Sequence, residues 1–279
     1  MVVINKKKEV IDMFYADYHV HSSFSSDSNE EMENQIKAAI SLGLKQMAFT
    51  DHIDYEYPDI AFPFMIDYNH YVKVFDTLKE KYKNQIDLVL GVEIGFQPHV
   101  VNQIEEALSQ YPFDFVICST HVCDRLDLYN GDFFKNKDKK NAYLRYFECV
   151  LYNVKNFINY DVYGHIDYIN RYGNYNDRVL SYEDYQDIID SILKTIIESG
   201  KGIEINTSGF RYGLGYANPK LEILKRYKEL GGNIITIGSD AHASKDIASY
   251  FDEAYKLLDA AGFSEITLFK NRKPHFIKI

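Results

Sequence analysis

At 279 residues, with 46% apolar and 26% charged residues, the chain has the make-up of a globular protein that can bury a large core. A formal charge of −10 argues against a surface built for nonspecific nucleic-acid binding, which needs a positive field facing the phosphates. Three cysteines are too few for a disulfide framework or a zinc ribbon, and no apolar run approaches the length that spans a bilayer.

The opening MVVINKKKEV has basic residues with no apolar run behind them, so it does not read as a signal peptide; a reducing cytoplasm is the expected address. A short β-like run, a loop and a helical stretch then recur along the chain. The β-like runs are FYADYHV (14–20), QMAFT (46–50), IDLVLGVEI (86–94), FDFVICST (113–120), DVYGHI (161–166), GIEINT (202–207) and NIITIGSD (233–240). Helical periodicity fills the intervals, as in 30–43, 181–200 and 218–232, each closing on Gly, a common helix stop. This alternation predicts a parallel sheet of right-handed βαβ units. Seven units without a linker predict an α/β fold of one domain over residues 1–279, closed or nearly closed into a barrel. An open doubly wound sheet is the alternative, but the first βα turn lacks its Gly fingerprint. The basic patches 6–8 and 135–140 read as solvated loops.

In parallel barrels, active sites form at the C-terminal ends of the strands, and metal-competent side chains fall there repeatedly. The first strand ends in His19-Val20-His21, two imidazoles on one face, with Asp27 in the following loop. The second runs into Thr50-Asp51-His52, the third ends at Glu93, the fourth at His121, the fifth at His165 and the seventh at Asp240-Ala241-His242. Taken singly, each has an ordinary reading: a core histidine, or an aspartate capping a helix. Six of the nine histidines at strand ends point to a functional cluster. Imidazole with carboxylate and no thiolate suits Zn²⁺, Mn²⁺ or Fe²⁺. Nine ligands exceed one tetrahedral site, so two or three divalent metals sharing a carboxylate are expected. Such clusters clamp phosphoryl oxygens and acidify water.

This ordered set resembles the PHP (polymerase and histidinol phosphatase) superfamily over residues 17–242. The resemblance implies a distorted, TIM-barrel-like seven-stranded (β/α) barrel. It implies a first metal on His19, His21, Glu93 and Asp240. A second would share Glu93 with His121 and His165, and a third would take Asp27, His52 and His242. Some members carry His where this chain has Asp27, and a carboxylate is also a competent ligand. Segments 49–54, 163–173 and 204–220 look like stand-alone histidinol-phosphate phosphatases, which release L-histidinol and phosphate in histidine biosynthesis. That implies a small phosphorylated substrate, no nucleic-acid or membrane partner, and hydrolysis by a metal-bridging hydroxide without a phosphoenzyme. Glu93, Asp240 and His242 would sit at the reacting centre, with Arg171 and Arg211 as forked phosphate clamps.

Three other readings compete. A superfamily member acting on phosphotyrosine protein or nucleotides would use the same metals and differ in the loops at 54–67, 122–138 and 207–218. An amidohydrolase-type barrel also opens with H-x-H, but FDFVICSTH offers no bridging Lys. A polymerase-associated module should have lost ligands or gained a basic track. His70, His99 and His275 read as surface or packing residues, Cys118 and Cys149 as buried small hydrophobes, and Cys123 as bordering the site.

Overall fold

The structure, a computed structural model, describes residues 16–279; the patch at 6–8 and Phe14–Tyr15 of the first expected strand lie outside them. In chain order the elements begin β1 (Ala16–Val20), α1 (Met32–Ser41), β2 (Gln46–Phe49), β3 (His52–Ile53), α2 (Tyr68–Tyr82), β4 (Asp87–Gly95) and α3 (Val101–Gln110). The middle comprises β5 (Phe115–Ser119), β6 (Val122–Cys123), β7 (Leu126–Asp127), α4 (Lys139–Asn156), β8 (Val162–Tyr163) and α5 (Gln186–Glu198). The chain closes with β9 (Gly202–Asn206), α6 (Ser208–Arg211), α7 (Leu221–Glu229), β10 (Ile235–Gly238), α8 (Phe251–Ala261), β11 (Glu265–Lys270) and β12 (Lys273–Lys278).

Seven strands form one parallel ladder in the order β1-β2-β4-β5-β8-β9-β10, matching the seven expected from the apolar runs. The ladder nearly closes: the Asp240 amide donates to the His19 carbonyl at 2.8 Å and the His21 amide to Ala241 at 2.9 Å. These strands are buried on both faces, which is why they read as continuous apolar runs rather than alternating ones. Helices cover the outside; α5 buries Ile189, Ile192, Leu193 and Ile196 along one stripe. Among the described residues, no helix is long and apolar enough to cross a membrane.

Three details depart from the sequence reading. β8 is only two residues long: the Gly164 amide still donates to the Cys118 carbonyl at 2.9 Å, and the next amide, of His165, turns to the Glu204 carboxylate at 3.1 Å. The tail that carries His275 is an antiparallel hairpin, β11–β12, turning at Asn271-Arg272 with φ of 49° and 63°. It meets the N-terminal ends of the barrel strands, where Arg272 Nε reaches Asp161 at 2.5 Å and Thr267 Oγ1 accepts from the Ile235 amide at 3.0 Å. The last correction concerns Cys149: it is not a lone hydrophobe but is bonded to Cys123, which sits on β6 against α4.

Gly238 ends β10 against the His19 Cβ and the Glu204 carboxylate, leaving no room for a side chain. Gly238→Ala should therefore cost about 1–3 kcal/mol of stability, the usual range for overpacking. Urea unfolding of metal-free protein measures this; an unchanged midpoint would mean that the strand end yields.

Candidate metal centre

The barrel brings all nine of the expected His, Asp and Glu side chains together at its C-terminal mouth. Glu93 lies at their centre because β4 runs past the end of β2 and pairs with the two-residue β3, setting His52 directly opposite Glu93. Its Oε2 is 3.2 Å from His19 Nε2, 3.5 Å from His21 Nε2 and 3.2 Å from His52 Nδ1. Its Oε1 is 2.9 Å from His165 Nε2 and 3.2 Å from His121 Nε2. Asp240 Oδ1 faces His21 Nε2 at 3.4 Å and His19 Nε2 at 3.8 Å. Asp27 Oδ2 lies 3.0 Å from His242 Nε2 and 3.4 Å from His52 Nε2. Asp240 holds its place at φ 57°, a left-handed backbone that Asp tolerates better than most residues.

Several residues that orient this set were not singled out from the sequence. Glu204 on β9 sits 2.5 Å from His19 Nδ1, Asp54 lies 2.7 Å from His121 Nδ1, and Ser25 Oγ is 3.3 Å from His21 Nδ1. A carboxylate on one ring nitrogen fixes the tautomer and leaves the other nitrogen's lone pair for a metal. Asp51, inside the Thr50-Asp51-His52 motif, serves the backbone instead, accepting from the Ser22 amide at 2.6 Å and Ser25 Oγ at 2.8 Å. A signal for Glu204 existed: it is the one charge inside the apolar run GIEINT, and it is 1% exposed.

Electrostatics keep the carboxylates ionised. Burial alone would push Glu93 up, but His19, His121 and His52 hold it well below the ordinary range. Asp240 is likewise held down, against burial, by His19, His21 and His242. His21 falls to about 3 through burial and the nearby His242 and His52, so it stays a neutral lone-pair donor. His19 Nε2, His21 Nε2, His52 Nδ1 and His165 Nδ1 are buried without hydrogen-bond partners. Orphaned imidazole nitrogens against ionised carboxylates, with no thiolate among them, are the donor set of a divalent-metal cluster. The triads His19–His21–Glu93, Glu93–His121–His165 and His21–His52–His242 could each hold an ion.

A cavity of about 270 Å³ opens over the cluster. All three loops expected to shape it contribute: Tyr57, Phe62 and Phe64 from the first, Asp127 and Tyr129 from the second, Tyr212 from the third. Arg171 lines it, buried, with its guanidinium 3.9 Å from the Tyr212 ring and 4.8 Å from that of Tyr168. Its Nη2 donates to Ser208 Oγ and, at 3.4 Å, to Asp240, while its Nε has no partner. Arg211, paired with Arg171 in the sequence reading, does not line the cavity. Its Nη1 and Nη2 are taken by the Ser239 and Asp240 carbonyls at 2.6 and 2.8 Å, so it braces the backbone that carries Asp240. Cys123 also faces away, into a separate pocket with Cys149.

In metal-free protein His121 is raised to about 10: burial opposes its charge, but Asp54 and Glu93 outweigh burial. Because that value exceeds the ordinary 6.5, the bound proton stabilises the fold; the effect is complete below pH 6.5 and is lost as pH rises through about 10. Imidazole NMR titration of chelated protein should show a midpoint near 10 that Asp54→Asn lowers. A wild-type midpoint at or below 6.5 would contradict the pairing.

The model of the PHP domain family matches residues 17–208. A histidinol-phosphatase of Lactococcus lactis is 34% identical over 263 residues, covering 92% of this chain and 95% of its own. A "Probable histidinol-phosphatase" of Clostridium acetobutylicum is 36% identical over 243 residues, covering 87% and 92%. A crystal structure of the Lactococcus lactis histidinol phosphate phosphatase, complexed with zinc, L-histidinol and phosphate, aligns with a TM-score of 0.86 at 33% identity, covering 93% of this chain and 98% of that one. The chain belongs to the PHP domain family.

Proposed function

We propose that the chain is a metal-dependent phosphomonoesterase that hydrolyses L-histidinol phosphate to L-histidinol and phosphate, a step of histidine biosynthesis. The observation that carries this reading is the convergence of five imidazoles on the two oxygens of one buried carboxylate, Glu93, under a cavity lined by a buried Arg171. The solved relative with 33% identity binds zinc, L-histidinol and phosphate, which supports both the cofactor and the substrate.

In this reading His19, His21, Glu93 and Asp240 hold one metal, and Glu93, His121 and His165 a second. Asp27, His52 and His242 hold a third. Two or three divalent ions supply positive charge for the phosphoryl oxygens and activate water at neutral pH. The chain's own residues do the rest. Arg171, always charged and pre-set by the Tyr168 and Tyr212 rings, presents its guanidinium to a phosphate oxygen. The rings of Tyr57, Phe62 and Phe64 line the cavity and displace part of its water, which strengthens the charge interactions beside them. Glu204 and Asp54 keep His19 and His121 in one tautomer through turnover. Arg211 holds Asp240 in place from below.

Phosphate release by Mn²⁺- or Zn²⁺-loaded protein tests the substrate. L-Histidinol phosphate should lead phosphotyrosine, nucleotides and an aryl phosphate by about a thousandfold in kcat/KM, roughly 4 kcal/mol of transition-state preference. Equal rates on the aryl phosphate or nucleotides would leave a PHP phosphoesterase with a different substrate. Glu93→Ala should abolish turnover in a folded protein, and full activity there would sink the assignment. Arg171→Ala should lower kcat/KM by about 10²-fold, the usual cost of a lost charge-stabilising donor, and weaken inhibition by inorganic phosphate. Unaltered phosphate inhibition would remove Arg171 from the site.

A further inference from the structure

The Cys123–Cys149 bond lies outside the metal cluster, yet it ties down the chain that leaves it. Cys123 stands two residues after His121, at the start of the β6–β7 hairpin, and Cys149 lies on α4. The hairpin returns to Asp127, which with Tyr129 lines the cavity over the cluster. Beyond it the segment is anchored by Leu128, Phe133 and Phe134, all buried. The stretch that depends on the bond is therefore 122–127, between a cluster histidine and the cavity wall.

The other ties on that stretch are weak. Its ladder is the two pairs Val122–Asp127 and Cys123–Leu126, and so short a hairpin is marginal by itself. It turns at Asp124-Arg125 with φ of 56° and 61°, positions that favour Asn and Gly. Arg145 grips Asp124 at 2.9 and 2.6 Å, but both side chains are exposed, where an ion pair contributes little. The Leu128 amide donates to the His121 carbonyl at 3.3 Å. On its far side the bond borders a second cavity of about 400 Å³, lined by both cysteines with His99, Arg125, Arg145 and Tyr152. Cys123 is 2% exposed, and Cys149 is only partly buried. In the reducing compartment expected from the sequence, a disulfide is commonly a reversible sensor rather than a permanent staple.

We propose that Cys123 and Cys149 are a thiol–disulfide switch, entered from this second cavity by a small anionic thiol, that sets how firmly the hairpin after His121 is held. A first thiolate attacks Cys149 Sγ. A mixed disulfide forms, the Cys123–Cys149 bond breaks, and Cys123 leaves as a thiolate that takes up a proton. A second thiolate attacks the small thiol's sulfur in the mixed disulfide and releases Cys149, which is protonated in turn. Two small thiols are thus oxidised to one small disulfide, and their two electrons and two protons reduce the protein bond to a dithiol. The small disulfide drives the reverse. Arg125 and Arg145 supply the positive charge that favours an approaching thiolate. With the bond open, 122–127 keeps only its weak ties, and the wall loosens beside His121.

The test equilibrates Mn²⁺-loaded protein with glutathione and its disulfide at set ratios. Free thiols are counted after acid quench, amide hydrogen exchange is followed by mass spectrometry, and phosphate release is read with L-histidinol phosphate and an aryl phosphate. Cys123 and Cys149 should pass together between bonded and free, while Cys118 stays a thiol. Exchange at 122–128 should quicken about tenfold on reduction, with α5 and β9 unchanged. The value of kcat/KM should fall about tenfold, the cost of a less firmly placed group. Cys149→Ser should sit at the reduced level at every ratio. A bond that survives excess glutathione is a permanent staple, and cysteines that never bond are no switch; either overturns the proposal. So does unchanged exchange at 122–128, which decides from wild-type protein alone if the variant does not fold. An equal loss of rate in Cys149→Ser on adding thiol would assign the effect to the metals and overturn it too. The first two readouts need no substrate. A protein that hydrolyses neither ester therefore fails the phosphatase reading and leaves the switch to be decided by thiol count and exchange.

Discussion

The constraint on which the mouth of the barrel depends is the burial of ionised carboxylates. Glu93 is 1% exposed and sits among His19, His21, His52, His121 and His165. An isolated anion there would be pushed to its neutral form. It stays charged because imidazoles and their own carboxylate partners surround it, in an arrangement that only parallel strands ending at one level can assemble. The ladder closes through the His19 carbonyl and the Asp240 amide, so barrel closure and site assembly share the same backbone.

From this follows a division of labour. Side chains on strand ends, rigid by virtue of the ladder, form the cluster. Side chains on loops, Tyr57, Phe64, Asp127, Tyr129 and Tyr212, form the walls. In the proposed reading the cluster holds the phosphoryl group, and the walls meet what is attached to it. The opposite end of the barrel is sealed by the β11–β12 hairpin, whose Phe269 packs on Phe115 at 5.0 Å and whose amide bonds to the Tyr18 hydroxyl. That end contributes stability.

Much of this was legible in the sequence, for physical reasons. Strands buried on both faces leave apolar runs, so the seven-stranded barrel could be counted before it was seen. Metal-competent residues at the ends of those runs had to meet, because parallel strands present their C-terminal ends on one side. What stayed hidden depends on loop paths. Arg211 and Arg171 look alike in sequence, yet one faces the cavity and the other braces a turn from beneath. The Cys123–Cys149 bond spans 26 residues and exists only because a hairpin folds against α4. Asp127 lies in the loop at 122–138, and nothing short of the fold shows that it lines the cavity. Glu204 could have been suspected from a charge set inside an apolar run, but which histidine it and Asp54 each orient required coordinates.

The most direct test of the central claim is anomalous scattering from crystals of the protein loaded with Zn²⁺ or Mn²⁺. The expected result is at least two metal peaks bound by Glu93, one beside His19, His21 and Asp240 and one beside His121 and His165. Metal found elsewhere with none at Glu93 would contradict it.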